Sequence, residues 1–593
     1  MRDPQSRDEK RARAAVEGRV AFVAAALFLA GALVVVIDRV GAPARLVTVL
    51  SPVIVMGGLV VLGFLAQAIR VFNFYAAGRL MPQKYVGLAM AGLAAALIPP
   101  MLPPGPPGGV HAAMLAGLVV GLGMAGFLSG PMLRKSGAFS LPDLFGMRFE
   151  SSAMRAASAV TVAIACGLVA LAGFDGAIRS LQEALGLAAG PVAVVVGFLV
   201  FTIVAPGGLS GSAWGAAISA FVLSLALLLP LAILSATGSP LPAPVIGRAD
   251  LWAEAVARMS IWNPPVKASL LQFSATAAAV ALGIAAMAPL LSPMIASRST
   301  RSKGRAGVMA LGWFVVLASA MAVGMAISAL ALDALVVGQR ADALPTFLYV
   351  ASDKGLVTIC GHAAAAPRAA TLLCSGAENY SGLMGLENVW ASGRFLLTGL
   401  PELGRFSLAI SGLVNAGYLA IALALAATGV QTCATALAHD LLFATRQGRA
   451  LASRRLAAGR FIMVALSLGM VYLASTAPQA PQNLLALAIL LSAAIIAPLL
   501  LLSAWSRATA SDAALALGAS ACAVVTTIAF AWRDGGFQME IIASGALAGF
   551  FVAIGAGFIS SLRRKESETR PGRIFVEGLL YGDGEIMGAD RGA

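Results

Sequence analysis

The sequence predicts an all-α polytopic membrane protein with about fourteen transmembrane helices. Three observations carry that prediction. Only 11% of the 593 residues are charged, against about 25% in a soluble protein, and mean hydropathy is +0.88. Apolar runs of the roughly 20 residues that cross a bilayer recur from end to end. Two of these runs are interrupted by Pro and Gly in corresponding places, as in transporters built from inverted repeats. A β-barrel would read as short alternating segments instead. The formal net charge is +14, and its clustering in loops fits membrane topology rather than nucleic-acid binding.

The chain opens with a basic, polar stretch from Met1 to Arg19. The apolar run 18–38 that follows is long for a signal peptide and has no small-residue cleavage site after it, so it reads as a true first helix. Further apolar runs cover 47–70, 85–101, 110–132, 153–174, 187–205, 212–235, 268–293, 306–331, 405–437, 460–476, 483–504, 512–531 and 540–562. Counting from a cytoplasmic N-terminus, every loop with clustered basic residues falls on the same side: Arg134, Lys135 and Arg148; Arg298, Arg301, Lys303 and Arg305; Arg446, Arg449, Arg454 and Arg455; Arg563, Arg564 and Lys565. The short loop 39–46, with Arg39 and Arg45, fits least well. Both termini are therefore expected in the cytoplasm, with the chain in a bacterial inner membrane.

The third run ends in Ile98-Pro99-Pro100 and leads into a proline-rich stretch through Gly109. Proline removes a backbone donor and clashes with the preceding turn, so the helix must kink or stop there. The eighth run carries a second such place, Gly283 to Pro293, around Pro289. Freed backbone groups inside a membrane are tolerated where they line a cavity or meet protein. Cys166, Cys433 and Cys522 lie inside apolar runs and read as packing residues. Cys360 and Cys374 share the long polar loop 332–404 and are disulfide candidates if that loop faces an oxidising compartment.

Four stretches then resemble one family, the sodium:solute symporters, and within it the branch that carries acetate and other short monocarboxylates. They are Phe74-Tyr75-Ala76-Ala77-Gly78-Arg79-Leu80-Met81-Pro82; the basic loop Arg134 to Phe149; Pro206-Gly207-Gly208 with Trp214; and Thr428 to Leu441, which ends in His439-Asp440-Leu441. The resemblance covers roughly 47–562. It implies a LeuT-like fold of inverted five-helix repeats at 85–235 and 236–504, the second holding the long loop. Residues 1–46 then form a cytoplasmic N-terminus and an added first helix, 47–84 a pre-core helix and loop, 505–562 two further helices, and 563–593 a cytoplasmic tail.

The resemblance also implies a Na+ site between backbone carbonyls of the first core helix and hydroxyls on the tenth span. The carbonyls here are those of Ala91 and Ala94. The family's hydroxyl pair falls on Ala424 and Leu425, and Thr428 and Thr432, spaced i, i+4 on one face, are the nearby substitutes. Other family marks are missing: Gly92 to Ala96 lacks the usual Asp and Ser, and Leu290 and Met294 replace the branch's His and Arg. Pro99, Pro289, Asn415 and Gln431 are expected along the solute pathway, since polar groups and helix breaks inside a membrane mark such routes. Arg134, Asp143, Arg148 and Asp440 are expected to hold the loop and inner gate, with His439 beside Asp440 as a helix-end cap or gate ion pair.

No catalytic or metal-binding constellation stands out, and no organic cofactor is expected. The expected function is symport of a small organic solute, such as a monocarboxylate, driven by a Na+ or H+ gradient, with the lipid bilayer as the other partner. The missing ion and anion positions favour an alternative, a relative that has lost coupling and acts as a sensor or complex subunit.

Overall fold

In lipid, every backbone N–H and C=O must find a partner within the chain, so each long apolar run closes into a helix. The computed structural model describes residues 4–102, 109–236, 249–262, 269–298, 304–377, 380–404, 406–443, 452–476, 480–533, 536–564 and 566–581. The proline-rich stretch 103–108, Arg301, Lys303, Arg446, Arg449, Lys565 and the tail from 582 lie outside the described residues.

Among the described residues, thirteen helices are long and apolar enough to cross a membrane: α1 (Val16–Arg39), α2 (Ala44–Leu65), α3 (Gln83–Met101), α4 (Val110–Ser136), α5 (Ser152–Leu185), a seventh-span helix α7 (Leu209–Leu234), α8 (Leu270–Ile295), α9 (Arg305–Val336), α10 (Leu408–Leu442), α11 (Ala452–Thr476), α12 (Pro481–Ala504), α13 (Ala510–Arg533) and α14 (Met539–Leu562). Between α5 and α7 lies α6 (Ala189–Val204), apolar but shorter. At about 1.5 Å per residue it is close to 24 Å long, and it stops at the Pro206-Gly207-Gly208 turn. Each apolar run of the sequence thus became one helix. The protein is a multi-pass, all-α membrane protein with LeuT-like inverted repeats.

The core packs through small residues that let helix backbones meet. A Cβ on Gly173 of α5 would lie 2.5 Å from Ala426 N of α10, and one on Gly429 of α10 would lie 2.8 Å from Ala170 of α5. These two helices are therefore in backbone contact over about one turn. The added helix α1 exposes Phe22, Phe28 and Leu29, which suits a lipid-facing position. It docks at its far end, where Asp38 Oδ2 accepts from Ala409 N at 3.2 Å.

The two proline-interrupted helices differ. In α8 the helix ends at Ala285, Met287 is extended (φ −76°, ψ 109°), and a second half runs over Ala288–Ile295 with Pro289 in its first turn. In α3 the helix runs unbroken over Gln83–Ala96 and only bends at Leu97, whose φ of −78° and ψ of −20° stay helical. Ala91 and Ala94, whose carbonyls the family resemblance offers to an ion, lie before the bend. Both residues sit inside a regular helix, and Ala94 O accepts from Leu97 N at 3.1 Å. The bend falls beside Pro99 and Pro100, where the sequence requires a kink.

The long loop between α9 and α10 has secondary structure of its own. It contains a two-stranded antiparallel ribbon, β1 (Val357–Ile359) on β2 (Val389–Ala391), with Thr358 opposite Trp390. Cys360 and Cys374 are joined in a disulfide across a Cα–Cα distance of 5.2 Å. The ribbon is the one non-helical element among the described residues.

Candidate functional site

The loop Arg134–Phe149 is held from all sides. Ser140 caps the short helix Leu141–Arg148: its Oγ accepts from Asp143 N at 3.0 Å, and Asp143 Oδ2 accepts in return from Phe139 N at 3.0 Å. This reciprocal capping satisfies two donors that a helix start leaves open. Arg134 Nε donates to Ser297 O at the end of α8 (2.6 Å). Arg79 Nη2 donates to Gly137 O (2.7 Å). Lys135 donates to Leu579 O of the C-terminal helix Glu566–Tyr581. Arg148 donates to Ser503 O (2.9 Å), Trp505 O (2.8 Å) and Ala508 O (3.3 Å) where α12 ends, and its guanidinium stacks 5.1 Å from the Phe149 ring. Burial pulls Arg148 down to about 10, with nearby Glu150 opposing, so it stays charged at neutral pH.

Asp143 and Asp440 come together, and the residue that joins them is Arg155. Its Nη2 lies 2.8 Å from Asp440 Oδ1 and 3.0 Å from Asp143 Oδ1, and its Nε donates to Asp440 Oδ1 at 3.1 Å. Ser140 Oγ donates to the other oxygen, Asp440 Oδ2, at 2.6 Å. His439 Nδ1 lies 2.9 Å from Asp440 Oδ1 and 2.7 Å from Arg155 Nη2. The Arg155, Asp143, Asp440 and His439 side chains are at least 95% buried. The carboxylates and the imidazole present their ligand atoms within 4.8 Å of one another, but the guanidinium occupies the middle of the group, which makes it an ion-pair cluster. His439 and Asp440 are carried by a π-helical turn, Ala436–Leu442, of the kind that often marks functional sites. Sequence reading missed Arg155. The available signal was an arginine one turn inside an apolar span, where a charge needs a partner.

Next to this cluster is a small chamber of about 20 Å³, lined by Tyr75, Phe139, Ser140, Ser292, Gln431 and Thr435 among others. Gln431 is 1% exposed. Its Nε2 donates to Thr435 Oγ1 at 3.2 Å, and its Oε1 accepts no hydrogen bond among the described residues. Thr428 Oγ1 donates to Ala424 O (2.7 Å), and Thr432 Oγ1 donates to Thr428 O (2.8 Å). Both hydroxyl protons are thus spent on their own helix, as is usual for Thr inside a helix. Only Thr432 of this pair reaches the chamber. Ala91 and Ala94 do not line it, so of the four residues expected to bind an ion only Thr432 borders this chamber.

At the opposite face lies a cavity of about 300 Å³. Pro99 and Pro100 from the bend of α3 line it, with Asp175, Arg179, Tyr418 and Arg394. Its arginines are already paired: Arg179 Nε with Asp175 at 2.8 Å, and Arg394 Nη2 with Glu183 at 3.1 Å. Pro289 is buried at the break of α8, where Ser292 Oγ donates to its carbonyl at 2.9 Å. Asn415 is half-buried and lines neither cavity.

A family model described as the sodium:solute symporter family matches residues 74–344. The matched stretch is a little under half of the chain. A 168-residue region is 33% identical to an uncharacterised symporter of Cupriavidus necator; the match covers 26% of this chain and about a quarter of that protein's length. In fold, the chain is similar to a Na+-coupled sialic acid symporter in a substrate-bound, outward-open state, with a TM-score of 0.59, 13% identity, and coverage of 88% of this chain and 98% of that one.

Proposed function

We propose that the protein is a secondary active symporter that carries a small organic solute across a bacterial inner membrane, with its basic loop face and both termini in the cytoplasm. The observation that carries this reading is the unequal size of the cavities at the two faces of the fold. A cavity of about 300 Å³ reaches the bend of α3 from one face, while the chamber toward the basic face measures about 20 Å³ beneath Tyr75 and Phe139. Alternating access requires one side to be open while the other is shut.

The solute we infer is a short monocarboxylate such as acetate. That inference rests on the motif ending in His439-Asp440-Leu441 and on the half-helix that starts at Ala288, whose positive end suits an anion. Na+ is the coupling ion suggested by the family and by the sialic acid symporter. The residues of this chain fit the family's arrangement poorly: Ala424 and Leu425 offer no hydroxyl, and the Ala94 carbonyl is taken. The same observation favours the second reading, a relative that no longer couples transport and acts as a sensor or complex subunit. Uptake of labelled acetate and pyruvate by proteoliposomes, under an inward Na+ gradient and separately under a pH gradient, decides between the two. Accumulation under either gradient supports symport. If neither solute enters under either gradient, the symporter reading of this solute class fails.

A further inference from the structure

We propose that the small chamber at the basic face is a Na+ site, built from side-chain oxygens of Ser140, Ser292, Gln431 and Thr432. The inference rests on the symporter reading, because it gives that transporter's coupling ion a place where the family resemblance does not put one.

Each hydroxyl bordering the chamber has already donated its one proton. Ser292 Oγ donates to Pro289 O (2.9 Å), Thr432 Oγ1 to Thr428 O (2.8 Å), Thr435 Oγ1 to Gln431 O (2.9 Å) and Ser140 Oγ to Asp440 Oδ2 (2.6 Å). The Tyr75 phenol donates to Arg455 O at 3.3 Å. A hydroxyl carries one proton and two lone pairs, so these groups can now only accept. Thr435 also fixes the Gln431 amide. Because Thr435 Oγ1 has no proton left, the amide must turn its NH2 toward it, at 3.2 Å, and Oε1 is left without a partner among the described residues. A buried amide oxygen in that state is costly, and a positive charge in the chamber relieves it.

The chemistry of the lining selects the occupant. A water can donate to two of these oxygens, but it turns its own lone pairs on the others. A cation is met by all of them. No carboxylate is among the described residues that border the chamber, whereas Ca2+ and Mg2+ sites draw on carboxylates, so a single charge fits. Behind Ser140, Asp143 and Asp440 face the one guanidinium of Arg155. His439 Nδ1 accepts from Arg155 Nη2 at 2.7 Å, as an uncharged imidazole does. Two negative charges against one positive charge attract a cation to the neighbouring chamber.

Size and place agree. The chamber's 20 Å³ exceeds the about 10–15 Å³ that one water-sized occupant needs and excludes an organic solute. Ala424 and Leu425, where the family's hydroxyl pair falls, offer no side-chain oxygen. Gln431 lies about two turns farther along α10, about 10 Å nearer the basic face. The oxygens come from the loop Arg134–Phe149, α8 and α10, so bound Na+ ties these three together beneath Tyr75.

The test needs no solute. Full-length protein in detergent is titrated with radioactive Na+, and its thermal unfolding midpoint is followed as NaCl replaces choline chloride at constant ionic strength. Saturable binding is expected, with a midpoint that rises with Na+, since an ion that binds the folded state stabilises it. Gln431→Leu and Ser292→Ala should each weaken the apparent affinity at least about tenfold. Ser292→Ala gives up only a bond within its own helix and carries the test by itself if Gln431→Leu does not fold. Variants that bind Na+ as tightly as the wild type overturn the proposal. So does a wild type that neither binds Na+ nor melts higher in it, which would leave the chamber to water. Failure of solute uptake with Na+ binding intact counts against the symporter reading, whereas loss of Na+ binding alone counts against this inference.

Discussion

Replacing Arg155 by Gln removes the only cation from the buried cluster and leaves Asp143 and Asp440 confronting each other. The guanidinium contacts the two carboxylates at 2.8, 3.0 and 3.1 Å, with the carboxylates 1% and 0% exposed. Breaking a buried pair by deleting one partner costs about 3–5 kcal/mol, because the remaining charge stays uncompensated. Here two charges remain, so the loss belongs at the upper end of that range. Gln can still donate one hydrogen bond, which returns about 1 kcal/mol. A net loss of roughly 3–4 kcal/mol follows. Thermal unfolding in detergent reads it as a clear fall in midpoint. The triple variant Arg155→Gln, Asp143→Asn, Asp440→Asn should recover most of the loss, since removing all charged partners of a buried pair is often close to neutral. A single variant that melts with the wild type, or a triple variant no more stable than the single one, would refute the reasoning.

Arg148→Ala deprives three carbonyls at the end of α12 of their donor and should cost about 3 kcal/mol. Arg148→Lys keeps the charge but not the fork and should regain less than half, read from the same melting curves. Gln431→Leu gives up one hydrogen bond but also removes an unpaired acceptor, so its stability should change by less than about 1 kcal/mol; its effect should appear in uptake rate. Gly173→Leu drives a side chain into the α10 backbone, where even a Cβ would stand 2.5 Å from Ala426 N, and should abolish folded protein on gel filtration. Cys360→Ser opens a disulfide that spans 14 residues and should cost the loop about 3 kcal/mol, seen as faster proteolysis between α9 and α10 with the helical melt unchanged.

Span positions were legible because a bilayer imposes length and hydropathy directly on sequence. Where the chain is locally irregular, legibility fell. Pro99 and Pro100 announced a disturbed helix but not that Leu97 would stay helical and keep Ala94 O bonded. The break in α8 was readable because Pro289 follows a short glycine-containing run, yet the extended Met287 is a product of packing. Asp143 and Asp440 carried sequence signals, being acidic groups beside membrane segments, but they lie far apart in the chain. Only the approach of α5 to α10 reveals Arg155 as their partner. The small chamber under Tyr75 draws side chains from several helices, none of which carries a motif for it.

The most direct test of the central claim, alternating access across this fold, compares two reporters in a background with Cys166, Cys433 and Cys522 replaced by Ala. Ser180→Cys sits in the large cavity and Ser292→Cys in the small chamber. With an impermeant maleimide, the account predicts rapid labelling at 180 and slow labelling at 292 in the resting protein. Any condition that raises one rate, whether a Na+ gradient, a pH change or added acetate, should lower the other. Rates that rise and fall together, or that ignore every condition, would contradict it.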